Sequence, residues 1–472
     1  MTSMRFLLGV ALSSLCAIAG LADPPSSLTP EQQAWLAKAR RFERVGWTYL
    51  HTEGDARPRG FQHGYLLAKE IAEGLRVTRA GWEYESAMTW PWLVERSAAM
   101  LTSKIDAENL AELEGMVEGL RAAGVEVSRE ELIAYNGFYE LAWSWWPTEL
   151  KKIKEGPSPP VRQSCSSFIA TGSWTKDGNV VLGHNSMQGY ADVLPKTIQD
   201  LVPSHGHRIL WQIYPGWIHS GTDFFVTDAG IVGSETTIGG FEGYDTNGVP
   251  EFARMRRATQ DAGSLGAWCE IMKRGNNGGY ANAWLLGDVN SKEIARLELG
   301  LKHVAFEKKA DGCFIGSNVA EDRKILRLET DAHDTDIRVS SIARRVRWKQ
   351  LMKTHAGQID LALAKRFEAD HFDTWRGKSW PGARSLCGHF ELDPEPGGPW
   401  PGVPFGCAGT VDAKVVDAGL AKRMAFAARW GSACGTPFLA GKFLAAHPQF
   451  ECLTGLLKDR PSQPWASFKA GE

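Results

Sequence analysis

From residue 28 to residue 146 the apolar positions recur every three to four residues, and from residue 166 onward they recur every second residue. That change of period divides the chain into a helical first part and a strand-rich second part. Thr29-Pro30-Glu31-Gln32 has the form of a helix start with proline in the first turn, and the spacing predicts a helix over 28–45. A strand follows over 46–51, then helices over 65–75, 91–104, 107–123 and 129–146, the last stopped by Pro147.

In the second part, strands over 166–171 and 179–184 flank Lys176-Asp177-Gly178, a hairpin signal. Strands over 208–214, 224–227 and 231–237 come next, the last two joined around Asp228-Ala229-Gly230. Helices over 250–262 and 265–274 precede a second hairpin, 281–286 with 293–299. The tail reads as helices over 340–354 and 359–369 and strands over 410–416 and 424–430. Antiparallel hairpins with helices grouped between them predict an α+β layered sandwich rather than a doubly wound sheet. Length alone allows three domains, but the strands are spread too widely for either part to close a core alone, which predicts one structural unit.

Composition narrows the class without naming a chemistry. The 472 residues carry a net charge of -2 with 43% hydrophobic and 23% charged residues, so neither nucleic acid nor an acidic membrane surface is an expected partner. Arg5, the apolar run 6–19 and Gly20-Leu21-Ala22 before Asp23 form an export signal over 1–22. No later apolar run is long enough to span a bilayer, which predicts a secreted or periplasmic product without a transmembrane anchor. Beyond Cys16 the cysteines are Cys165, Cys269, Cys313, Cys387, Cys407, Cys434 and Cys452, an odd count that leaves one thiol over. Cys165 is the natural remainder, and the four cysteines from 387 onward predict a disulfide-stapled end. No pair has CxxC spacing, so no metal and no organic cofactor is expected.

The candidate chemistry sits where the period changes, in Arg162-Gln163-Ser164-Cys165-Ser166-Ser167-Phe168. A proline-rich linker over 155–160 leads to it, and Cys165 opens a buried strand. A lone cysteine at a strand start is compatible with a small buried hydrophobe or half of a disulfide. It is also what an N-terminal-nucleophile hydrolase needs, because cutting Ser164-Cys165 would free an α-amine to act as base for the thiol. A strict two-residue turn at Asp177-Gly178 would place Cys165 opposite Tyr190, whereas a longer loop would bring Asn185 to Met187 opposite it. His184 and Asn185 face opposite sides of a strand, so at most one of them aims at the thiol. Gly377-Lys378-Ser379 lacks the upstream glycine of a phosphate loop, and the chain contains no Gly-x-Ser-x-Gly elbow.

Cys165-Ser166-Ser167, Gly183-His184-Asn185-Ser186, Ser234-Glu235-Thr236-Thr237-Ile238-Gly239 and Tyr280-Ala281-Asn282-Ala283-Trp284 resemble, in that order, the motifs of the phospholipase B-like family. Residues 60–68 are similar to the family's early Gly-x-x-x-Gly stretch and 409–417 to its C-terminal strand. The resemblance implies a four-layer αββα N-terminal-nucleophile hydrolase sandwich of antiparallel sheets with a mostly helical N-terminal fragment. It implies self-cleavage at Ser164-Cys165 into fragments 23–164 and 165–472 that stay associated. Cys165 would be nucleophile, with His184, Asn185, Thr236, Thr237 and Asn282 in the catalytic set and Met187 and Trp284 lining the substrate pocket. The substrate would be an acyl ester or amide of a lipid or N-acyl compound. An N-acyl amidase or acyltransferase of the same class, or a non-catalytic secreted binding protein, is the alternative. Met187 replaces the family's tryptophan, and Ala281 and Ala283 replace its asparagine and glutamine, changes that bear on pocket lining more than on the nucleophile.

Overall fold

Why the second half alternates is plain in its strands, which stack into two sheets. A computed structural model describes residues 28–153, 165–191, 196–221, 223–332, 334–393 and 408–472. The export signal over 1–22, the linker over 155–160, Ser164 and Cys407 lie outside the described residues. In chain order the strands are β1 Arg40–Arg44, β2 Trp47–Gly54, β3 Ser166–Thr171, β4 Val181–Gly189, β5 Thr197–Pro203, β6 Ile209–Ile213, β7 Phe224–Thr227 and β8 Ile231–Thr237. They continue with β9 Asn282–Asp288, β10 Glu293–Leu299, β11 Val304–Lys309, β12 Gly312–Gly316, the small ribbon β13 Phe372–Asp373 and β14 Lys378–Ser379, then β15 Ala408–Asp417, β16 Ala425–Trp430 and β17 Ala466–Lys469.

One sheet has nine strands in the order β1-β2-β5-β6-β7-β8-β9-β10-β11, and the other six in the order β12-β3-β4-β15-β16-β17. All neighbours are antiparallel except β2 and β5, where the first part of the chain joins the second in parallel, Thr48 beside Thr197. Between the sheets Ile169 and Leu182 pack on Ile198, Leu210, Val232 and Leu285. Outside the larger sheet the helices Glu251–Asp261 and Leu265–Lys273 cover Trp211, Phe225 and Trp284 with Met255, Trp268 and Met272. Outside the smaller sheet the helices Ser340–Thr354 and Leu361–Glu368 cover Phe168 and Val415 with Trp348, Leu363 and Phe367. The layers are therefore helix, sheet, sheet, helix, the α+β sandwich that the alternation predicts.

Several expected elements differ from those observed. The helix expected over 28–45 ends at Leu36, although Thr29 and Gln32 do form its capping box. Residues 40–44 instead form the edge strand β1, because Phe42 stacks on Tyr49 and Arg44 lies over Phe468, burial that overrides helical spacing. Pro147 does not stop a helix. It lies in the first turn of Trp146–Ile153, after the π turn Leu141–Trp145, where a missing N–H costs little. The disulfide-stapled end is not found: Cys387, Cys434 and Cys452 are free thiols among the described residues, as are Cys165, Cys269 and Cys313.

The Gly-x-x-x-Gly stretch lies within the helix Ala56–Leu66 rather than leading into one. It meets a second such pair on Ala107–Ala122, and the two backbones nearly touch. A Cβ on Gly60 would stand 1.9 Å from the Glu112 carbonyl oxygen, one on Gly64 2.2 Å from that of Met116, and one on Gly115 2.1 Å from that of Arg57. Arg59, fully buried, is held beside this contact by Glu112 at 2.7 Å and Glu108 at 2.6 Å. Gly64→Val must push the helices apart, an overpacking cost of about 3 kcal/mol. Chemical denaturation is expected to show that loss, whereas Gly441→Ala, whose Cβ meets nothing within 4 Å, is expected to leave stability within about 1 kcal/mol of the parent.

Candidate active site

The connection between β3 and β4 decides what the thiol faces. It spans the 3-10 turn Gly172–Trp174 as well as Asp177-Gly178, and the resulting register sets Ser166 opposite Asn185 and Ser167 opposite His184. This is the longer-loop alternative. One position before that pairing, the Cys165 sulfur accepts the backbone N–H of Met187. Cys165 has φ +84°, the left-handed region that a residue with a Cβ avoids, so the backbone at this residue is strained. Its carbonyl oxygen is fixed by Arg344 Nη1 at 2.8 Å, and the same guanidinium donates to Asn318 Oδ1 at 2.7 Å. Trp348 Nε1 donates to the neighbouring Ser166 Oγ at 2.8 Å.

Around the buried sulfur stand two carboxyls, Asp223 and Glu235, the reactive atoms of all three lying within 4.8 Å of one another. Burial, reinforced by Asp223, pushes the thiol up to about 12 against the pull of Lys414, the Met187 N–H and Lys196. Burial also raises Asp223 to about 6 and, with Asp223 beside it, raises Glu235 well above the carboxylate range. Two such groups in hydrogen-bond contact hold one proton between them. A few residues away Asp412 Oδ1 accepts from Lys414 Nζ at 2.6 Å, and Oδ2 accepts from Lys196 and, at 2.9 Å, from Gln212 Nε2. Lys414 also donates to Ser186 Oγ at 2.6 Å. A cavity of about 10 Å³, lined by Asp223, Glu251, His219 and Tyr280 among others, leaves room for a single water beside the cluster.

The residues singled out in the sequence divide into groups. His184 bridges the sheets, its Nε2 2.9 Å from the Glu235 carbonyl oxygen; burial, then Lys414, keeps the ring neutral, and Nε2–H donates. Asn185 points to the helix layer, where Nδ2 donates to the carbonyls of Glu368 at 2.7 Å and Leu386 at 3.0 Å. Thr236 faces the smaller sheet at Gly316, and Thr237 Oγ1 lies 2.6 Å from Tyr280 Oη. Asn282 pairs with Thr237 across β8 and β9, and its buried amide has no aligned partner among the described residues. Met187 reaches the sulfur through its backbone, while its Cε packs over Gly388. Trp284 is a correction: it is core, wedged between Trp268 and Phe225, because alternate residues of β9 face the helix layer. The sequence motifs leave out Asp223, Arg344 and Lys196, and include Glu235, Asp412 and Lys414 only as members of longer stretches. Asp412 and Lys414 carried a signal, two charges inside an otherwise apolar strand.

Parts of the chain are similar to known proteins. Residues 107–304 match the family described as Phospholipase B. The human protein "Putative phospholipase B-like 2" is 31% identical over 144 residues, 26% of this chain and 24% of that protein. A protein of Archaeoglobus fulgidus is 24% identical over 259 residues, 52% of this chain and 42% of that one. The match thus spans about a quarter of the length of the first of these relatives. Among solved structures, penicillin V acylase from Agrobacterium tumefaciens overlaps 56% of this chain and 83% of its own at 10% identity with a TM-score of 0.34.

Asp412 is the carboxylate that forms ion pairs with both buried ammonium groups, Lys196 and Lys414. Asp412→Asn is expected to cost about 3 to 5 kcal/mol in urea denaturation of the Cys165→Ala chain, because Lys196 and Lys414 then face each other dry and uncompensated. Adding Lys196→Met is expected to return part of that loss.

Proposed function

We propose that this chain, which matches the Phospholipase B family over residues 107–304, is an N-terminal-nucleophile hydrolase which cuts itself at Ser164-Cys165 and then hydrolyses acyl ester or amide bonds of lipids or N-acyl compounds. The observation that carries the reading is the position of Cys165. It stands at the head of a central strand, in a strained conformation, with its sulfur between a proton-sharing carboxyl pair and a backbone N–H.

In the uncut chain the thiol proton passes to the Asp223 carboxylate as the sulfur attacks the Ser164 carbonyl carbon. The C–N bond breaks, the departing nitrogen takes up a proton, and a thioester remains. Water hydrolyses the thioester, leaving a carboxylate on Ser164 and regenerating the thiol. The freed α-amine, with an ordinary pKa of about 7.7 to 8.0, is then placed to take the thiol proton in each later cycle. The sulfur attacks the substrate carbonyl, the α-ammonium returns the proton to the leaving alcohol or amine, and water releases the acyl group. The buried amide of Asn282, which faces the Glu251 carboxyl, is the proposed donor for the oxyanion, a contribution of about 3 to 4 kcal/mol. His184 and Asn185 act as positioning residues through Glu235 and the helix layer.

The fragments stay associated because residues 28–153 supply β1 and β2 to the larger sheet. Export by residues 1–22 completes the reading, and no helix among the described residues is long and apolar enough to cross a membrane.

Mass spectrometry of the purified protein is expected to find residues 23–164 and 165–472 in one particle, with the second chain beginning Cys-Ser-Ser-Phe, and Cys165→Ala is expected to stay whole. A wild-type chain that remains uncut while its internal Cys165 alkylates freely would favour a binding protein instead. The pH dependence has a definite sign. Asp223, raised to about 6, is protonated below that pH and cannot accept the thiol proton, so self-cleavage of refolded precursor is expected to speed up from pH 5 to pH 7. Asp223→Asn is expected to flatten that profile and slow the cut by about 10²- to 10⁴-fold.

A further inference from the structure

Away from the thiol, four metal-ligating side chains converge from three separate stretches of sequence. His371, Cys387, His389 and Cys434 bring one donor atom each to within 4.8 Å of all the others. His389 Nε2 lies 3.5 Å from Cys387 Sγ and 3.3 Å from Cys434 Sγ. A tetrahedral zinc ion, with Zn–S of about 2.3 Å and Zn–N of about 2.0 to 2.1 Å, requires ligand-to-ligand edges of about 3.3 to 3.8 Å. We propose that these four residues are a structural binding site for one zinc ion.

The surroundings have the form such a site requires. His389 turns its other ring nitrogen, Nδ1, to Glu391 Oε1 at 2.9 Å, and Tyr190 Oη donates to Glu391 Oε2 at 2.6 Å. A carboxylate behind a histidine fixes the tautomer that leaves Nε2 free for a metal. The two imidazoles meet at 72° with centroids 5.2 Å apart, as two rings on one ion do. Backbone N–H groups point at both sulfurs, that of Thr436 at Cys434 from 3.4 Å and those of Ala433 and Cys434 at Cys387. Two thiolates and two neutral imidazoles balance a divalent cation, so the site can be buried without net charge. With four protein ligands no position is open for substrate, which makes the role structural. The CxxC criterion overlooks it because the nearest ligands are spaced Cys-Gly-His and the fourth comes from the turn after β16.

The site lies where bracing has an effect. Leu386, just before Cys387, accepts from Asn185, and Gly388, between two ligands, packs on Met187, whose N–H faces the Cys165 sulfur. A bound ion ties this segment to the end of β16 and so fixes the wall behind the thiol.

The test uses the whole chain, stripped by chelator under reducing conditions and titrated with Zn²⁺ and with Co²⁺. About one ion per chain is expected by elemental analysis, with Co²⁺ giving the visible and thiolate charge-transfer bands of a tetrahedral sulfur site and releasing protons as the thiols ionise. Glu391→Gln is expected to weaken binding by about 10- to 100-fold, and His371→Gln to alter the Co²⁺ spectrum, while Cys452→Ser leaves both unchanged. The proposal is overturned if the wild-type chain gives no such spectrum, if the spectrum survives Cys387→Ser, or if peptide mapping of the protein as produced finds Cys387 and Cys434 joined in a disulfide.

Discussion

The two sheets are locked by one buried ionic contact, Asp412 between Lys196 and Lys414. Asp412 and Lys414 belong to β15 of the smaller sheet, whereas Lys196 immediately precedes β5 of the larger one, and Gln212 adds a hydrogen bond from β6. All of these groups are dry, so the contact gains little net free energy over an apolar filling. What it secures is alignment. An apolar pair tolerates sliding, whereas a carboxylate that must satisfy two ammonium groups fixes how the sheets face each other. The same ammonium groups then supply the positive field that partly offsets burial at the Cys165 thiol.

That field is too weak to ionise the thiol by itself, since burial and Asp223 hold it near 12 in the uncut chain. An enzyme with a thiol so placed would be inert toward a distant substrate, yet the Ser164 carbonyl is covalently adjacent and needs no binding step. Intramolecular attack gains an effective concentration that a free substrate lacks, and the strained Cys165 backbone raises the ground state further. On the proposed self-cleavage, the cut would free an amine next to the sulfur, so the first reaction would build the base that the second one uses.

How much of this could be read from the sequence follows from how local each signal is. Strands β7 to β10 and the helices after them were legible because their turns are short and their partners adjacent. β5 was not, since Thr197, Gln199 and Asp200 are buried polar residues that break any apolar alternation. β1 mimicked a helix because an edge strand half in solvent need not alternate strictly. The strand start at Cys165 was legible from its context, at a change of period after a proline-rich linker. The partners of Cys165 were not, because Asp223, Glu235, Arg344 and Lys414 reach it from one loop, two strands and a helix scattered over the second part of the chain. Trp284 misled for the complementary reason: a tryptophan in a motif does not disclose which face of its strand is covered.

The division of labour between the two parts follows from the same geometry. Among the described residues the groups placed beside the sulfur all lie after residue 164, so the first part, residues 28–153, supplies none of them. It contributes exclusion of water and placement. Glu140 accepts from Asn277 Nδ2 at 2.6 Å and from the Glu251 N–H at 3.2 Å, at the wall of the small cavity beside Asp223. The parallel pairing of β2 with β5 holds the strand that Lys196 leads into. Because residues 28–153 supply β1 and β2 to the sheet that carries Glu235, the proposed self-cleavage would require both parts to have folded together, and would then report that the sandwich has closed.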